Sequence, residues 1–386
     1  MVHAIGRIVA GMDRFVFAST LALCTAATAC ENHGGADSAS EAASGEIALT
    51  SDGSTGGIDV PGGGAVGKLD LPPSDGGRPD DPAAAGCAKA DFLFVIDNSG
   101  SMADEQANLI ASFPGFIATI TETIAAQDYH IMAVPTDDGL AAGLSTKCND
   151  DTCVCMPAPI CCQKTCELFN KDCNGFACDA LPITDCDQVY GRGNIYNAVG
   201  QRCSLPEGRR YMKADQPDLA GTFECVANIG THGSGAEKPV LATLEAVSEP
   251  LNGPGGCDEG FLRDDAILVV IIITDEEDDN AIEGEGTPGL PNEWYDQLIA
   301  AKHGDTDAVV VLGLVGDGNL GGGLCPAGGG PNMDGTGAES SPRLQEFVEK
   351  FENGVVGSVC ATDYTPFFSE AVGVIDFACD VFVPVG

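Results

Sequence analysis

The stretch Asp91-Phe-Leu-Phe-Val-Ile-Asp97-Asn-Ser99-Gly-Ser101-Met102 decides the fold. Its unbroken apolar run, Phe92 to Ile96, predicts a strand covered on both faces. The run ends at a carboxylate, the chain turns at Gly100, and an amphipathic helical pattern starts near Ala103. Strand, loop and helix in that order present loop side chains at the carboxyl edge of a parallel sheet. Asp97, Ser99 and Ser101 place one carboxylate and two hydroxyls there, hard oxygen donors suited to Mg²⁺ or a similar cation. A plainer reading of the same residues is a helix cap, with a serine accepting from the first turn and Asp97 holding backbone donors.

Working outward, the periodicity predicts strands at about 90–97, 129–135, 266–274, 307–315 and 354–359. Helices are predicted at 103–125, 217–228, 236–248, 292–302, 342–352 and 363–379, with Pro114 kinking or splitting the first. Continuous apolar strands alternating with helices define a doubly wound α/β fold with a mostly parallel sheet flanked by helices.

The Asp97-x-Ser99-x-Ser101 loop resembles the metal-ion-dependent adhesion site of the von Willebrand factor A domain family. That resemblance implies a threonine from a second loop and an aspartate ending a later apolar strand. Thr231, in Gly230-Thr-His-Gly-Ser-Gly235, and Asp275, which follows Ala266-Ile-Leu-Val-Val-Ile-Ile-Ile-Thr274, stand in the matching places. It further implies Mg²⁺, with Mn²⁺ or Ca²⁺ as alternatives, and a partner whose acidic side chain completes the metal shell. By the same resemblance, ligand binding is coupled to movement of the last helix, 363–379. One departure stands out: many relatives follow the last aspartate with glycine, whereas this chain continues Glu276-Glu-Asp-Asp279. These carboxylates are expected to face solvent first of all; a second cation site or a preference for Ca²⁺ are the other readings.

The chain has 386 residues, with 58 acidic against 18 basic side chains and a formal net charge of −40. Such a balance repels nucleic acid and anionic membrane surfaces. Arg7 and Arg14 flank an apolar run from Phe15 to Ala29 that is short for a bilayer span and ends in small residues, so residues 1–29 are expected to be an export signal. Thr28-Ala29-Cys30 resembles a bacterial lipoprotein processing site in which Cys30 carries the lipid, although Ala27 stands where leucine is preferred. The expected location is therefore the bacterial cell envelope, outer membrane or cell surface, attached only through the lipid; simple secretion is the alternative. Residues 30–86, built of Gly, Ser, Ala, Asp and Pro, cannot form a core and are expected to be a hydrated tether.

Of 18 cysteines, setting aside Cys24 and Cys30 leaves an even number, which suits disulfide pairing in an oxidising compartment. Ten lie between Cys148 and Cys203. They mark an insertion at about 145–215 within a domain spanning 87–386, expected to be stapled rather than packed. Zinc is the rival reading, but paired C-x-x-C knuckles are lacking. The remaining candidates are Cys87, Cys225, Cys257, Cys325, Cys360 and Cys379. A Cys87–Cys379 bond would tie the domain ends as in some relatives, with Cys360 an equally legal partner for Cys87.

Gly316-Asp-Gly-Asn-Leu-Gly321 spells a dinucleotide fingerprint, but the following glycines cannot open a helix, so a surface loop is expected. His232 is expected to be an ordinary loop residue and Trp294 a packing residue. No motif positions a nucleophile with an oriented base, so an enzyme is not expected. The expected function is cation-dependent binding of an extracellular or envelope protein. The alternative is a structural scaffold in an envelope assembly, its ion only stabilising the fold.

Overall fold

The computed structural model describes residues 87–123, 128–138, 184–198, 201–206, 208–231, 233–279, 286–330 and 337–384. The expected signal segment, Cys30, the tether, most of the cysteine-rich stretch and His232 lie outside the described residues. Among the described residues, no helix is long and apolar enough to cross a membrane.

Among the described residues, six strands form one sheet in the order β3-β2-β1-β4-β5-β6. They are β1 (Lys89–Ile96), β2 (Asp128–Pro135), β3 (Met212–Lys213), β4 (Ile267–Ile273), β5 (Val309–Val315) and β6 (Gly354–Ser358). All pairings are parallel except β2 with β3. The helices are α1 (Ala103–Thr123), α2 (Leu219–Ala227), α3 (Pro239–Ala246), the single turn α4 (Glu249–Asn252), α5 (Pro291–Ala300), α6 (Pro342–Glu349) and α7 (Thr365–Val381).

Side chains alternate across β1, so each face of the sheet acquires its own core. Phe92, Phe94 and Ile96 join Phe113 and Phe116 of α1, Phe223 of α2 and Phe368 and Ile375 of α7. Leu93 and Val95 point the other way, into Val240 of α3, Trp294 and Leu298 of α5 and Phe347 of α6. Phe113 stacks on Phe223 at 3.5 Å between ring centroids, and Phe94 meets Phe223 edge-on at 4.9 Å, which fixes α1 and α2 against β1. Each such buried ring contributes about 2–3 kcal/mol. Trp294 packs as expected, its indole N–H donating to the Pro288 carbonyl at 2.8 Å and the Arg343 guanidinium lying over its ring at 4.6 Å. The Gly316 segment is a loop, as expected, closed by Asp317 accepting from the Leu324 and Cys325 N–H groups at 2.9 and 2.8 Å.

Two expectations need correction. Pro114 does not split α1, which runs unbroken past it; the ring sits on the exposed face, where water can take the freed hydrogen bond. The end of the expected insertion is packed, not merely stapled. Ile195, Tyr196, Tyr211 and Met212 are buried, and Met212–Lys213 adds an antiparallel edge strand to β2. Two of its cysteines bond outside the region. Cys186 bonds Cys257 and Cys203 bonds Cys225, so two core segments reach out to hold this region. Cys87 bonds Cys379, and Cys360 bonds Cys325. Thus α7 is anchored near both of its ends.

Candidate metal centre

Parallel pairing brings the ends of β1 and β4 side by side, with Ile96 opposite Ile273. Asp97 and Asp275 therefore emerge close together, and the register is closed by the Asp97 N–H donating to the Ile273 carbonyl at 3.0 Å. Both carboxylates are wholly buried, as are Ser99 and Ser101. Asp97 Oδ1 accepts from the Ser99 N–H at 2.6 Å, and Oδ2 accepts from the Thr274 hydroxyl at 2.6 Å. The capping reading is thus correct for Asp97 as an acceptor of backbone N–H. The two serine hydroxyls instead face each other, Oγ to Oγ at 3.3 Å.

Gln106 draws in the Thr231 loop. Its side-chain amide donates to the carbonyls of Asp97 and Gly230, both at 2.9 Å, and its oxygen accepts from the Gly230 N–H at 3.1 Å. On the far side of Thr231, the Gly233 N–H donates to the Asn98 carbonyl at 2.9 Å. A Cβ at position 233 would fall 2.4 Å from the Asn98 amide group, so any side chain there would force Asn98 to shift. Thr231 itself is partly exposed, so the cluster opens to solvent on this side. All five residues singled out in the sequence are thereby gathered at one edge of the sheet.

Among the described residues, neither oxygen of Asp275 has a hydrogen-bond partner. Burial pushes the Asp275 carboxyl up to about 6; the nearby Ser101 hydroxyl favours the ionised form but falls outside hydrogen-bonding geometry. Burial and then the neighbouring Asp275 charge hold Asp97 well above the usual carboxylate range. Glu276 is pushed up to about 8 by burial and by Asp97 and Asp275. Beneath Asn98, the Thr136 hydroxyl donates to Glu237, a buried carboxylate whose other oxygen is unpartnered. Among the described residues no three His, Cys, Asp or Glu side chains converge as a metal cluster. The set gathered here is of another kind, two carboxylates with three hydroxyls.

The acidic run after Asp275 does not simply face solvent. Asp278 is fully buried and accepts from the Val240 N–H at 2.9 Å and the Thr287 hydroxyl at 2.7 Å, capping the start of α3. Glu277 accepts from the Arg343 and Leu344 N–H groups at 2.8 and 3.2 Å, at the first turn of α6. Asp279 alone of the four is exposed.

Sequence reasoning missed Gln106, Thr274 and Glu237. Gln106 carried a signal, being a polar residue in the buried stripe of α1 between Met102 and Leu109. Thr274 and Glu237 carried none, because their roles depend on partners 177 and 101 residues away.

No family model and no curated protein matches the chain. Among solved structures, proximal thread matrix protein 1 from the mussel byssus is similar over 76% of this chain, at 11% identity and a TM-score of 0.33. The match spans 49% of that protein, about half its length, and a likeness at this level carries no argument about function.

Proposed function

We propose that this chain is an exported, lipid-anchored envelope protein that binds an extracellular protein through a divalent cation, Mg²⁺ above all. Asp97, Ser99, Ser101, Thr231 and Asp275 would hold the ion. The observation that carries this reading is the buried Asp275 carboxylate with both oxygens unpartnered. A buried charge without a partner is costly, and a bound cation offsets that cost. The donor set fits a hard ion: two carboxylates and three hydroxyls, all oxygen.

With at most two ligand charges, the bound ion keeps enough positive charge to accept an acidic side chain from outside. Thr231 lies on the exposed side, where such a group would arrive. Resemblance to the von Willebrand factor A family supports the same reading, as does a mostly parallel sheet with the candidate residues at its carboxyl edge.

The scaffold reading rests on a different observation. Glu277 and Asp278, two and three residues after Asp275, cap α6 and α3, so an ion at Asp275 would brace two helices without touching a partner. Asp97→Ala separates the two readings. Calorimetric Mg²⁺ titration should lose its signal, and cross-linking to partners on intact cells should vanish while the protein in chelator stays folded, with its melting temperature lowered only by the loss of the Ser99 and Thr274 hydrogen bonds. Identical cross-linked partners with Mg²⁺ and with chelator would sink the binding reading; an Mg²⁺-dependent rise in melting temperature with no cross-linked partner would favour the scaffold.

A further inference from the structure

A cavity of about 300 Å³ opens beside the candidate cation residues, and Thr231 lines it. Ala103, Ala107 and Ile110 of α1 line it together with Ala198, Asn228 and Gly230. Gln106 also lines it, the same side chain that ties the Asp97 loop to Gly230. Among the described residues its lining holds no charged side chain, in a chain of net charge −40. The three alanines leave the room: a larger residue at any of them would occupy the space from within.

We infer that this cavity is a second subsite for the same ligand, receiving an uncharged aliphatic side chain that lies close to the acidic side chain completing the cation's shell. The inference rests on the proposed cation-dependent binding. Sharing of Thr231 between cation set and cavity is what makes one ligand segment span both. The lining selects the chemistry: an apolar wall rewards burial of an aliphatic group, whereas a charged group entering it would lose its hydration without a counter-ion. A cavity of this volume is at the small end for ligand sites and suits one or two side chains rather than a cofactor. The recognised element is thus a short segment of a protein partner pairing Asp or Glu with an aliphatic residue.

Simple carboxylates test this without the natural partner. With the Mg²⁺-loaded protein, acetate, butyrate and isocaproate are compared by ligand-observed NMR titration. Affinity should rise by at least tenfold from acetate to isocaproate, given roughly fourfold per buried methylene. Ala107→Leu, at an exposed helix position, should abolish that rise while leaving acetate binding and Mg²⁺ affinity unchanged; Ala198→Leu elsewhere in the lining provides the same test should the first variant misfold. Equal affinity for all three carboxylates, or a chain-length gain surviving both substitutions, overturns the subsite while leaving the cation reading intact. Absence of any Mg²⁺-dependent acetate binding would instead remove the cation reading, and the subsite with it.

Discussion

Asp275 is the residue whose surroundings are least satisfied, and its substitution separates folding from binding. In the chelated protein, Asp275→Asn removes a buried, unpartnered charge facing Asp97. Stability in chelator should rise by about 1 kcal/mol, read by urea unfolding, since an unsatisfied buried group costs about 1–3 kcal/mol. Divalent cation affinity should fall at least tenfold in the same variant. A drop in stability without metal would mean that the carboxylate is satisfied in some other way. At this scale the sequence was most legible where chemistry is local. Asp97, Ser99 and Ser101 lie within five residues of one another, and the apolar strand before them announces where they emerge. The carboxylates Glu277 and Asp278 were misjudged because the N–H groups they cap belong to helices distant in the chain.

Among elements, the long apolar strands and most helices were readable from periodicity, since burial on both faces leaves an uninterrupted run. Strand β3 was not, because two residues carry no period, and its pairing with His130 and Ile131 is purely tertiary. The cysteine pairs were not readable either, as spacing does not encode connectivity. Their contributions should differ in a predictable order. Cys87–Cys379 spans 292 residues and Cys203–Cys225 only 22. Replacing each pair by alanines and unfolding in urea should show the longer link worth about 2 kcal/mol more, if loop entropy in the unfolded chain dominates. Equal losses would point to native-state packing instead.

For the whole molecule, the direction of pH dependence is unusual. Burial pushes Asp258 up to about 7 and Glu105 up to about 9, and each has one oxygen without a partner. Against these, burial lowers His130 to about 4. A carboxyl raised in the folded state binds more protons than it does unfolded between its ordinary and its shifted value, so stability falls as pH rises through that window. His130 acts oppositely, with stability lost as pH falls from about 6.5 towards 4. The carboxyls outweigh it above pH 5. Metal-free protein should therefore lose roughly 3 kcal/mol or more between pH 5 and pH 8 in urea unfolding, and the paired substitution Asp258→Asn with Glu105→Gln should make the slope shallower, the remainder coming from Asp97, Asp275 and Glu276. A slope of the ordinary sign, rising with pH, would show that these groups are ionised in the fold.

The bond between Cys87 and Cys379 also sets the route of mechanical load. Any pull transmitted through the residues before Cys87 enters the domain at the amino end of β1, and the covalent link shares it at once with α7. The candidate centre stands at the other end of β1, about 26 Å away for eight residues of strand. Force between the two runs along the strand axis. Because β1 lies between parallel β2 and β4, pulling loads all its flanking hydrogen bonds in shear together instead of peeling them one at a time. Under such a pull β1 carries the tension between Cys87 at its amino end and the candidate centre at its carboxyl end.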